Sequence, residues 1–166
     1  MQSKFKTEID NGLRFDSPDI LLLWETPLPD LIMIGKPRVR TWKRWKNFTD
    51  SVKPVHIKHT QLSWNVEIKA LPQIHSLVVA WVERPGRHFP MLKEAELFGH
   101  ERNSLISDLN SLFGPYGIER GQFADKGGMV PYEVQIWSAG SHVDVRLGGG
   151  AALHVHLNAR YQFKSS

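Results

Sequence analysis

A chain of 166 residues that is 41% hydrophobic, 23% charged and carries six tryptophans can bury roughly two thirds of its unfolded surface in one core, which excludes disorder as its main state. The absence of cysteine excludes structural disulfides, thiol catalysis and thiolate metal sites. Net charge is +4, yet residues 36–59 hold eight Lys or Arg against the single acid Asp50, a local +7 that leaves −3 for the rest of the chain, so one segment offers itself to an anionic partner.

In chain order, residues 1–12 are polar and expected to be flexible. Residues 20–24 and 31–34 are short apolar runs separated by Pro27 and Pro29; runs this short, bounded by proline, predict two strands rather than a helix. From Lys36 to Val52, Val39, Trp42, Trp45 and Phe48 recur every third residue while Arg40, Lys43, Arg44 and Lys46 fall between them. That spacing predicts a helix with Pro37 in its first turn, with an irregular basic loop as the competing reading.

Residues 62–70 alternate strictly and predict a half-buried strand, while 74–82 form an almost continuous apolar run that predicts a strand covered on both faces. Residues 90–113 carry apolar positions at three-to-four spacing, broken at Gly99, and predict one interrupted helix or two short ones. Asn103 or Ser104 would cap the second half, and Gly114-Pro115 would stop it. Five glycines between 114 and 129 predict a long loop. Residues 132–137 alternate again, and 142–147 and 153–163 do the same on either side of Gly148-Gly149-Gly150. The last two segments therefore predict a hairpin with Val143, Val145, Leu147, Leu153, Val155 and Leu157 inward and His142, Asp144, Arg146, His154, His156 and Arg160 on one polar face.

The expected fold is α+β, a single domain over residues 1–166: a mainly antiparallel sheet with a C-terminal meander, one face covered by one or two helices. No stretch has signal-peptide or membrane-spanning length, so a cytoplasmic protein without a membrane partner is expected. The free edge of the last strand suggests pairing into a homodimer.

Two stretches carry chemistry. His154-Val155-His156 sends two imidazoles to the same side of a strand, and His142 from the neighbouring strand would complete a three-nitrogen site for a divalent metal, with Asp144 orienting one of them. The motif resembles the histidine-hydrophobic-histidine element of single-strand nicking enzymes, the rolling-circle initiators, relaxases and small transposases. That resemblance implies a metal-dependent nucleic-acid enzyme, with Arg146 or Arg160 clamping phosphate. The chain departs from it in the long gap between Asp144 and His154, and no tyrosine follows on a helix: Tyr161 lies on the same strand, and Tyr116 and Tyr132 precede the motif.

The second stretch is the basic aromatic segment, with Arg38, Arg40, Trp42, Lys43, Arg44, Trp45 and Lys46 as candidate partner-binding residues. Cations there would meet carboxylates or phosphates, and aromatics would anchor an interface or stack on bases. No nucleophile elbow, phosphate loop, dinucleotide fingerprint or His-Glu-x-x-His occurs. The favoured expectation is therefore a non-catalytic interaction protein without a cofactor. Its partner would be an acidic protein surface rather than nucleic acid, as for toxin-neutralising immunity proteins and other inhibitors. The alternatives are the divalent-metal enzyme and a plain nucleic-acid binder.

Overall fold

The computed structural model describes residues 3–46, 55–83 and 91–158. A short helix α1 (Lys4–Thr7) leads into a hairpin, β1 (Gly12–Phe15) and β2 (Ile20–Leu23), and then a 3-10 helix over Leu28–Met33. Strands β3 (Arg38–Lys46), β4 (Val55–Asn65), β5 (Ile74–Glu83) and β6 (Glu94–Gly99) follow. Helix α2 (Arg102–Phe113) precedes β7 (Gly117–Asp125), β8 (Gly128–Ala139), β9 (Val143–Leu147) and β10 (Ala152–Leu157). β3 to β10 form one eight-stranded sheet in the order β3-β4-β5-β6-β10-β9-β8-β7, and every pairing is antiparallel.

The expectation of a mostly antiparallel sheet with a few helices in one domain is met, and so is the C-terminal hairpin. Leu153 pairs with Leu147, Val155 with Val145 and His156 with Asp144. Val143, Val145, Leu147, Leu153 and Val155 are buried, as a period of two across a one-sided sheet requires. Residues 159–163, the end of the expected strand, lie outside the described residues.

The elements outside the eight-stranded sheet join one core with it. Phe5, Ile9, Leu13, Phe15, Leu22, Leu28 and Leu31 cluster with Leu105 and Leu109 of α2 and with the inward residues of the sheet. Trp24 donates its indole N–H to the Ile9 carbonyl at 2.7 Å, and Trp137 donates to Asn110 Oδ1 at 2.9 Å, so each buried indole finds the acceptor it needs. The opposite face, containing Val78, Glu96, His154 and Arg146, has no helix laid over it among the described residues.

Several expectations are corrected. Residues 4–7 form helix α1 with Ser3 as its cap, and Phe5 and Ile9, within a stretch expected to be polar, are buried. Residues 31–34 form no strand, because Leu28 and Leu31, three apart, bury together on the 3-10 turn begun by the prolines. The basic segment is strand over residues 38–46 instead of helix. Its every-third aromatics mimic a helical stripe, but the partner strand β4 satisfies its backbone, and Val39, Thr41 and Trp42 favour a pleated surface; residues 47–52 lie outside the described residues.

Strand β5 is covered on one face only, Val82 being 40% exposed, since after a register shift at Ile74 to Ser76 the residues Ser76, Val78, Ala80 and Val82 face away from the core. Residues 94–99 are strand, because Ala95 and Leu97 alternate inward between Glu94, Glu96 and Phe98. The helix starts only at Arg102, capped by neither Asn103 nor Ser104 but by the Glu101 carboxylate, which accepts their amide hydrogens at 2.9 and 2.7 Å. The glycine-rich loop is strand β7 hairpinned to β8, with Lys126-Gly127 making the turn and Gly128 (φ 122°) opening β8. Finally, β10 lies between β6 and β9, so its described part offers no edge for homodimer pairing. The outer strands are β3 and β7.

Candidate functional site

The register assembles two groups on the open face of the sheet. At one margin, Arg38, Arg40, Trp42 and Arg44 of β3 stand opposite Ser63, Gln61, His59 and Ile57 of β4. Alternation puts these four on the side away from the core and turns Lys43 to the other side, with Val39 and Thr41. The backbone of Trp45 and Lys46 completes the strand. The seven candidate partner-binding residues thus lie on one strand but are divided between its two faces.

Trp42 is held by neighbours on its own sheet. The His59 ring stacks on it at 5.1 Å with a 5° interplanar angle, and the Arg40 guanidinium carbon lies 5.0 Å from the ring centre. Stacking of this kind restrains a long side chain while leaving the N–H groups at the guanidinium edge available. Among the described residues no carboxylate is paired with Arg38, Arg40 or Arg44.

The second group lies further in, on β6, β10 and β9. His154 stands between Glu96 and Arg146, and His156 between Glu94 and Asp144. His156 Nδ1 is 3.3 Å from Glu94 Oε2, His154 Nδ1 is 4.0 Å from Glu96 Oε1, and the two imidazole centres are 6.1 Å apart. With Val78, Ala80 and Ala95 these four residues line a hollow of about 200 Å³. Burial holds His156 below the ordinary histidine pKa; Arg146 and His154 act in the same sense, and the Glu94 and Asp144 carboxylates oppose them. Arg146 is itself drawn to Glu119 of β7, 3.2 Å away.

The proposed metal triad is only partly assembled. His154 and His156 share the hollow, while His142 sits immediately before the start of β9, where its backbone N–H donates to Asp10 Oδ1 at 2.9 Å and its carbonyl accepts from Asn158. Among the described residues no group of three His, Asp or Glu side chains is placed to hold a metal ion. The acids that approach the imidazoles, Glu94 and Glu96, pass for ordinary exposed acids on a helix when the segment is given a helical period, which hides their place beside His156 and His154. The signal was present in the alternation Glu94-Ala95-Glu96-Leu97.

Among the described residues no helix is long and apolar enough to cross a membrane. No family model matches the chain, and no curated protein or solved structure is significantly similar to it.

Proposed function

We propose that this chain is a non-catalytic interaction protein that binds an acidic surface of another protein through the open side of β3, as inhibitors and immunity proteins do. The observation that carries this reading is the Arg40–Trp42–His59 assembly. With an imidazole stacked on it and a guanidinium over it, the indole is already engaged within its own sheet, so it is poorly placed to stack on a nucleobase. The same contact holds the Arg40 fork ready for a carboxylate. Arg38 and Arg44, two residues to either side of this pair, extend the cationic row to the spacing of alternate side chains on an extended acidic partner.

The experiment compares labelled hexaglutamate with labelled hexathymidylate by fluorescence anisotropy, for the wild-type chain and for Arg40→Glu with Arg44→Glu. Reversing two of the row's charges should weaken hexaglutamate binding by an order of magnitude or more. Hexathymidylate should bind more weakly than the peptide at equal salt. Equal peptide affinity in wild type and variant contradicts the proposal, and preference for the oligonucleotide replaces it with nucleic-acid binding.

A further inference from the structure

A cavity of about 570 Å³ opens at the head of β3, lined by Pro18, Gly35, Lys36, Pro37, Arg38, Ser63, Trp64, Asn65, Ser76 and Val78. Its charge balance differs from that of two other cavities among the described residues. The hollow at the imidazoles contains Glu94 and Glu96, and a cavity of about 510 Å³ beside His75 and His100 contains Glu67. The lining at the head of β3 has two cations, two serines and an asparagine, and no carboxylate.

The sequence builds this cavity at some expense to its backbone. Trp64 Nε1 donates to the Ile34 carbonyl at 2.9 Å and anchors the chain as it leaves the 3-10 helix. Gly35 (φ 68°) and Lys36 (φ 50°) then both turn left-handed. At Gly35 an added Cβ would come within 2.8 Å of Ile20 Cδ1 and 3.2 Å of Trp64 Nε1, so the bend is packed against its neighbours. Lys36 has no such excuse: a lysine in the left-handed region, directly before a proline, is an uncommon and strained choice where glycine would be relaxed. The left-handed turn brings Lys36 into the lining of a polar cavity, with Arg38 two residues on. Pre-placed strain of this sort is found where a ligand is gripped.

We propose that this cavity is a carboxylate-binding site that receives an acidic side chain of the partner, with Lys36 and Arg38 supplying charge and Ser63, Asn65 and Ser76 supplying neutral hydrogen bonds. The proposal rests on the reading of β3 as the partner surface and names where one of the partner's acids enters it.

The test uses hexaglutamate as the probe and exploits the strain. In Lys36→Gly the cation is lost and the backbone relaxes, so the thermal midpoint should hold or rise while affinity falls roughly threefold to tenfold. Ser63→Leu fills the cavity without altering charge and should weaken binding to a similar extent. In the wild type the Trp64 indole N–H resonance should shift on titration. If Lys36→Gly and Ser63→Leu bind as wild type and the Trp64 signal stays still, while Arg40→Glu with Arg44→Glu weakens binding, the cavity proposal falls and the β3 reading stands. If none of these variants changes affinity, the β3 reading itself has failed and the cavity proposal with it.

Discussion

At the scale of single residues, two positions report on how tightly the scaffold is drawn. A Cβ at Gly12 would lie 2.2 Å from the Leu22 carbonyl oxygen and 2.8 Å from Leu23 Cα, both backbone atoms of the paired strand that cannot swing aside. Gly12→Ala should therefore part the β1–β2 hairpin and destabilise the fold by about 2 kcal/mol or more, read as a lowered midpoint in urea. His156 supplies a pH dependence. Because burial holds its folded-state pKa below the ordinary value of 6.5, the unfolded chain binds the proton first as pH falls. The stability gained by keeping the imidazole neutral is complete above about 6.5 and is lost progressively on going down to the folded-state pKa. His156→Gln should flatten the fall in stability over that window; an unchanged slope would mean that the imidazole does not titrate as its surroundings dictate.

At the scale of elements, helix α2 is fastened at its first turn by groups that the sequence does not advertise. Glu101 accepts two backbone amides; its pKa is lowered first by the hydrogen bond from the Ser104 side chain and then by the Ser104 and Asn103 amides. Arg102 donates to the Gly148 and Gly150 carbonyls at 2.9 and 2.7 Å and to Gln135 Oε1 at 2.9 Å. One planar guanidinium therefore ties the helix to the β9–β10 turn and to β8. Arg102→Lys keeps the charge but lacks the fork, and should lower the thermal midpoint and loosen the turn, seen as faster amide exchange at residues 148–152.

The same scale shows what was readable in the residues and what was not. Where alternation was strict and one face had to be buried, as in β9 and β10, period and register were legible. β3 was misread because three aromatic or aliphatic residues spaced by three satisfy a helical pattern, whereas the decisive contact is the pairing with β4, which is distant information. The acids of β6 look like solvated helical acids for the same reason, because their pairing with His154 and His156 is equally distant information. No local signal marks Lys36 as left-handed (φ 50°), since lysine rarely adopts that conformation and nothing in the neighbouring residues announces it.

For the molecule as a whole, the sheet has, among the described residues, one face committed to the core and the other largely uncovered, buried Ile57 excepted, and this second face changes character from margin to margin. It is cationic and aromatic at β3, neutral along β4 and β5, and acidic and imidazole-bearing across β6 and β10. At β7 and β8 it ends in exposed apolar side chains such as Phe123 (48% exposed) and Tyr132 (38%). A partner that uses the β3 margin should show a salt-dependent association rate, since steering by exposed charge is screened within about 8 Å at physiological ionic strength. Affinity for hexaglutamate that is unchanged between low and physiological salt would mean that the row of arginines is not what attracts it.

The most direct measurement is a map of backbone and indole NMR shifts as hexaglutamate is added to the isotope-labelled chain. If β3 is the working surface, the largest changes fall on Arg38, Arg40, Trp42 and Arg44 and on His59 and Gln61 of the adjoining strand, with α2 and the β7–β8 hairpin left still. Changes concentrated on α2, on the β7–β8 hairpin or around His154 and His156, with β3 silent, would contradict the account.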